Sequence, residues 1–180
     1  RAEVNDVANA VYEQVDAVML SGETAVGEHP IETVKMMYDI ISDVESEYDD
    51  YRKINNDVKF KNTRYAIGEA VKTISKKIKI DAIVVMTESG STSKIVSYFR
   101  PGIDVYSLSP SINVCTQMSL FWGVTSLKVE NYLSTDEMLF NAKNILLKNK
   151  FMKNNQTFVM TAGVPVGVTG TTNMLKIETI

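Results

Sequence analysis

Two stretches of this sequence carry side chains suited to holding an anion. The first is Thr87-Glu88-Ser89-Gly90-Ser91-Thr92-Ser93. Thr87, Ser89, Ser91, Thr92 and Ser93 supply hydroxyls, and Gly90 lets a ligand approach the backbone closely. An apolar run precedes the stretch and a helical pattern follows it. The free amides of such a helix start point outward, and the helix dipole adds about 0.3–1 kcal/mol for an anion at an exposed site. The chemistry is recognition of a phosphate. The alternative is a serine-rich helix cap with no ligand.

The second stretch runs from Ala162 to Asn173 and includes Gly163, Gly167, Gly170, Thr171 and Thr172. Backbone amides and hydroxyls here are suited to wrapping a phosphate. It is neither a Walker loop nor a dinucleotide fingerprint, because no Gly-Lys-Ser/Thr follows and no helix opens after it. A flexible connection is the alternative. A third stretch, Ser21-Gly22-Glu23-Thr24, follows the apolar run Ala17-Val18-Met19-Leu20. At the end of a barrel strand such residues face an active site; otherwise they form a turn with a helix cap.

Other chemical side chains stand alone. His29 has no second histidine to share a metal, and Cys115 is the single cysteine. That excludes an internal disulfide and a cysteine-based metal cluster. Beside Val114 and Met118, Cys115 reads as a buried thiol. Trp122 reads as core or interface. Lys76 and Lys77 suit a helix end, where positive charge is favoured. Asn155-Gln156-Thr157 matches a glycosylation triplet, with nothing else to suggest secretion.

Both anion stretches need a scaffold of strands and helices. Val4, Val7, Ala8 and Val11 recur at helical spacing and predict a helix over 2–14. Residues 17–20 read as a buried strand. Pro30, favoured in a first helical turn, opens a second helix with the stripe Ile31, Val34, Met37, Ile40, Ile41 and Val44. A lone parallel-type strand cannot satisfy its own backbone groups, so its partners are expected upstream of Arg1. Residues 49–62 are polar and predict a linker.

From Tyr65 the elements alternate. Helices are expected at 65–78, 91–99, 110–122 and 134–150, the last opened by a Ser134…Glu137 capping box. Strands are expected at 82–86, 105–108, 124–129, 157–161 and 174–179. Unbroken apolar runs suit central parallel strands, whereas Leu175 and Ile177 alternate with Lys176 and Glu178 as in an edge strand. Alternating strands and helices imply a doubly wound sheet with right-handed crossovers. The two anion stretches would then follow neighbouring strands and share a pocket.

Composition bounds the rest. A chain of 180 residues fits one domain, or one domain plus a piece of another. A domain of this size buries roughly 70% of its unfolded surface. Nineteen basic and twenty-two acidic residues give a net charge of −3. That balance argues against a broad nucleic-acid surface. No apolar run approaches the roughly 18 residues of a membrane helix. The chain begins at Arg1, inside a helical pattern, which suggests a piece of a longer protein.

The segment Arg1-Ala2-Glu3-Val4-Asn5-Asp6-Val7-Ala8-Asn9-Ala10-Val11, followed by Asp16-Ala17-Val18-Met19-Leu20-Ser21-Gly22-Glu23-Thr24-Ala25, closely resembles pyruvate kinase. The resemblance implies the fold class: the last helix-strand-helix unit of a (β/α)8 barrel at 1–48, then a linker at 49–62. A five-stranded, mostly parallel three-layer α/β regulatory domain with an antiparallel edge strand follows at 63–180. It implies an activity as well: transfer of phosphate from phosphoenolpyruvate to ADP in glycolysis, in the cytoplasm, with magnesium and potassium.

The family's catalytic lysine and its metal ligands match no position of this sequence. The piece alone is therefore expected to be inactive and to hold no metal. Only Ser21 and Glu23 match residues that line the barrel mouth, in a supporting role. Where the family often has a lysine for the nucleotide phosphates, this chain has Val26.

The regulatory domain of the family binds a phosphorylated effector. The resemblance places that site on Thr87, Ser89, Gly90, Ser91, Thr92, Gly170, Thr171, Thr172 and Asn173. Forms activated by fructose bisphosphate often carry an arginine in one of these loops, but Ser91 and the segment 164–169 offer none. A bisphosphate needs more positive charge than that. AMP or a sugar monophosphate is the expected effector. The family is typically a homotetramer, so a homo-oligomer is expected, with no nucleic-acid or membrane partner. The other readings are a stand-alone phosphate sensor and a self-assembly module.

Overall fold

The computed structural model describes residues 2–47, 62–168 and 170–180. The expected linker, apart from Asn62, lies outside the described residues, as does Thr169. The chain divides into two compact units, Arg1–Lys53 and Ile54–Ile180.

The first unit holds helices α1 (Ala2–Tyr12), α2 (Gly22–Ala25) and α3 (Pro30–Ser46). Pro30 sits in the first turn of α3, where its missing N–H costs nothing, and Glu32 complements the dipole there. Among its described residues only Val44 is buried. Ile31 is 70% exposed and Met19 86%. The expected strand at 17–20 does not form: these residues carry no ladder. A strand is stabilised by its neighbours' backbone groups, and none of the described residues pairs with this segment.

The second unit contains, in order, α4 (Thr63–Lys77), β1 (Ala82–Met86), α5 (Ser91–Tyr98), β2 (Val105–Ser109), α6 (Ile112–Met118), β3 (Val124–Lys128), α7 (Thr135–Lys148), β4 (Thr157–Gly163) and β5 (Thr172–Thr179). Five strands form one sheet in the order β3-β2-β1-β4-β5. All neighbours are parallel except β4 and β5, which are antiparallel. The mostly parallel sheet with an antiparallel edge pair is the expected α/β class. Ala-Ile-Val-Val-Met of β1 is buried at every position, as a strand covered on both faces requires.

Two apolar clusters sandwich the sheet. On one face Val84, Leu108, Phe158 and Met160 pack with Met138, Ala142 and Leu146 of α7. On the other, Ile83, Val85, Val105 and Val159 pack with Val71 of α4 and Val96 of α5. Three hydroxyls of α5 are also tied down. Thr92 bonds Thr172, Ser93 bonds Ser107 of β2 at 2.7 Å, and Ser97 donates to the Trp122 carbonyl at 2.7 Å.

Two helix ends differ from expectation. The helix expected over 110–122 is α6, Ile112–Met118. Ser119 and the amides of Leu120 and Phe121 bond three residues back, so tight turns replace its last stretch. At α7 the Ser134 hydroxyl accepts from the Glu137 amide at 3.2 Å, as expected. Glu137, however, accepts from the Leu133 amide at 2.8 Å, not from Ser134. The extended backbone of Ser134 (φ −145°, ψ 162°) presents the preceding amide to it.

Candidate functional site

The sheet order places β1 at a reversal. The chain leaves β1 towards β2 and β3, then returns to β4 on the other side of β1. Loops at the carboxyl ends of β1 and β4 therefore diverge and leave a crevice between them, the usual ligand position in an open α/β sheet.

The loop after β1 is built around Thr87 and Gly90. The buried Thr87 hydroxyl accepts from the Gly90 amide at 2.9 Å. Gly90 has a left-handed backbone (φ 77°), and a Cβ there would meet Met118 Cε at 2.5 Å. No other residue suits both demands. The turn delivers the first amides of α5, which lack intrahelical acceptors, to the crevice.

The loop after β4 is closed at its base by one side chain. Asn173 Oδ1 accepts from the Val164 amide at 2.9 Å, and its Nδ2 donates to the Val164 carbonyl at 2.7 Å. Thr171 donates to the Val168 carbonyl at 2.7 Å. Gly167 and Gly170 both have positive φ. Thr172 reaches across to Thr92.

Together these loops border one cleft that opens to solvent. Thr87, Ser89, Ser91, Thr92, Gly170, Thr171 and Thr172 line it. Gly90 and Asn173 do not: Gly90 packs behind the loop, and Asn173 clamps the other loop's base. The wall also holds Glu88, and it continues through Glu130, Asn131 and Tyr132 beyond β3. Sequence reasoning missed this last group. The group reaches the cleft because β3 is parallel to β2 and ends at the same sheet edge.

Among the described residues no lysine or arginine lines the cleft. A cation approaches through Ser91: Arg64 Nη1 donates to the Ser91 hydroxyl at 2.9 Å. Arg64 is in the first turn of α4, outside both anion loops, so a search for an arginine within them does not find it. The Tyr132 hydroxyl is buried without a hydrogen-bond partner. Burial, reinforced by Glu137 and Glu130, pushes its pKa up to about 12, so it stays a neutral phenol.

The first unit places Ser21 and Glu23 together. Glu23 Oε2 accepts from the Ser21 amide at 2.9 Å. Its own backbone amide, then that of Ser21, hold its carboxyl below the usual range. Both residues are exposed, and Val26 is 88% exposed. Ser21 makes no side-chain cap bond to α2. His29 precedes α3 without a side-chain cap bond. Cys115 is buried, its thiol 3.7 Å from the Ser109 carbonyl. Among the described residues no three His, Cys, Asp or Glu side chains converge as a metal site, and no helix is long and apolar enough to cross a membrane.

Comparison with known proteins agrees with both units. Residues 65–178 match the family model described as pyruvate kinase, alpha/beta domain, and residues 1–34 match pyruvate kinase, barrel domain. Pyruvate kinases of Staphylococcus aureus strains USA300, NCTC 8325 and bovine RF122 are each 43% identical over 183 aligned residues. The alignments cover 100% of this chain and 31% of each relative. The chain thus spans about a third of the length of the curated relatives it matches. A match over most of the second unit, with a full-length alignment to these relatives, places the chain in the pyruvate kinase family.

Proposed function

We propose that this chain carries the effector-sensing part of a pyruvate kinase, with the cleft between the β1 and β4 loops as the phosphate site. The whole protein would transfer phosphate from phosphoenolpyruvate to ADP, giving pyruvate and ATP, as a magnesium- and potassium-dependent cytoplasmic enzyme of glycolysis. The chain on its own is read as inactive, because the family's catalytic lysine and metal ligands match no position of this sequence, with Ser21 and Glu23 as support at the barrel mouth.

One observation carries the reading: Thr87, Ser89, Ser91, Thr92, Thr171 and Thr172 line a single cleft beside the start of α5. Hydroxyls and free amides donate to a phosphate without competing charge. Glu88 and Glu130 on the same wall repel a second phosphate but accept from sugar hydroxyls. The ligand this favours has one phosphate and a hydroxylated remainder, as AMP and sugar monophosphates do.

The test is titration of the 180-residue chain with AMP, ribose 5-phosphate and fructose bisphosphate, following backbone amide resonances. The two monophosphates should shift Ser89 to Thr92 and Thr171 to Asn173. Silence at both loops overturns the reading. A coupled pyruvate assay should show no turnover by the chain alone.

A self-assembly role has its own support. Met19, Ile31, Val34 and Met36 of the first unit are all more than half exposed, and such apolar surface is normally covered in the working assembly. Homo-oligomerisation of the whole protein is the proposed reason. Sedimentation of the chain tests it: a monomer at high concentration argues against contacts through this piece.

A further inference from the structure

We infer that Arg64 is the cation of the cleft, positioning Ser91 as a phosphate donor and restricting the ligand to one phosphate. This rests on the proposed phosphate-binding role of the cleft. Asn62 fixes the guanidinium at its stem. Its Oδ1 accepts from the Arg64 backbone amide at 2.9 Å and from Arg64 Nε at 3.5 Å. The residue that caps α4 therefore also sets the direction of the side chain.

The far end of Arg64 gives Nη1 to the Ser91 hydroxyl at 2.9 Å, and Ser89 donates to the same oxygen at 3.1 Å. Ser91 Oγ thus receives two donors. A hydroxyl has two lone pairs and one proton, so with both lone pairs engaged its own O–H is left to donate. Ser91 lines the cleft. Donation from a cation strengthens the onward bond, because linked hydrogen bonds polarise one another.

The printed contacts of the Arg64 side chain are to Asn62 and Ser91, neither of which is a carboxylate. One guanidinium reaches the cleft through Ser91, while the lining also carries the carboxylates of Glu88 and Glu130. A single phosphate finds a cation; a second one meets carboxylates. Arg64 is a positioning residue that acts through Ser91, and it also links occupancy of the cleft to the first turn of α4.

The experiment measures binding of AMP, inorganic phosphate and adenosine to the 180-residue chain by calorimetry. Arg64→Ala should weaken AMP and phosphate about tenfold or more, the range for hydrogen bonds to charged groups, while leaving adenosine unchanged. Arg64→Lys should recover part of the loss, since it keeps the charge but not the planar fork. On a Ser91→Ala background, Arg64→Ala should cost less than in the parent chain.

If the parent chain binds neither AMP nor phosphate, the reading of the cleft fails. If the parent binds both and a folded Arg64→Ala chain binds them equally well, the role of Arg64 alone is overturned. Should Arg64→Ala lose its circular dichroism, Arg64→Gln takes its place, and parental affinity in that variant overturns the inference just as directly.

Discussion

Thr92 and Thr172, 80 positions apart, meet hydroxyl to hydroxyl at 2.5 Å. The bond joins the first turn of α5 to the first residue of β5, and so ties together the two loops that border the cleft. Only 2% of Thr92 and 6% of Thr172 is exposed, so water cannot replace either partner. Thr92→Val or Thr172→Val leaves the other hydroxyl buried and unpaired, at a cost of about 1–3 kcal/mol. The double variant removes both groups and should cost less than the sum. Urea unfolding of the four chains measures this, and simple additivity would show that the hydroxyls act independently.

Gly68 lies where α4 crosses α5. An added Cβ would sit 2.7 Å from Phe99 Cδ2 and 2.8 Å from Ile95 Cγ2. Phe99 is fully buried, so its ring has nowhere to go. Gly68→Ala should destabilise the second unit by about 1–3 kcal/mol through overpacking, although alanine is the better helix former. A rise in the thermal midpoint would contradict this.

Tyr132 invites the opposite outcome. Its hydroxyl is buried and unpartnered, and a buried polar group without a partner costs free energy. Tyr132→Phe should leave the thermal midpoint unchanged or raise it. A clear loss of stability would mean that the hydroxyl has a bonding role in the folded chain.

Glu178 makes part of the stability depend on pH. Lys143 and then Lys176 hold its carboxyl below the usual range through hydrogen bonds, at 2.8 Å and 2.7 Å. A lowered folded-state pKa means stability that is present above the ordinary glutamate value of about 4.3 and is lost as pH falls through the lowered one. The partly exposed setting of Glu178 limits it to under about 1 kcal/mol. Denaturation midpoints at pH 3 to 6 should fall less steeply towards acid for Glu178→Gln than for the parent chain, and added salt should narrow the difference. Identical slopes in the two chains would remove the assignment.

The second unit was legible in sequence because its signals agree. Ala82 to Met86 is an unbroken apolar run and is buried throughout; Leu175 to Glu178 alternates and lies in an edge strand. Ser134 stands where a cap is needed. Residues 17–20 carry no ladder because a strand needs neighbours to pair with as well as an apolar run, and none of the described residues supplies them. Of the proposed cleft, the hydroxyl residues could be read from their position after strands. Arg64 could not, because only the packing of α4 beside α5 brings it to Ser91. Glu130 and Tyr132 reach the wall through the order of strands, which a pattern of local periods does not contain.

The fastening of α5 has a mechanical meaning. Apolar packing resists separation of a helix from a sheet but opposes sliding and rotation weakly, since its attraction has no direction. Thr92, Ser93 and Ser97 add directional bonds to three different partners along the eight residues of α5. A helix pinned at three points has a narrow energy well for rolling as well as for lifting, so it behaves as a stiff rod. A force at its cleft end is not absorbed in local give; it arrives at the far end, beside Trp122.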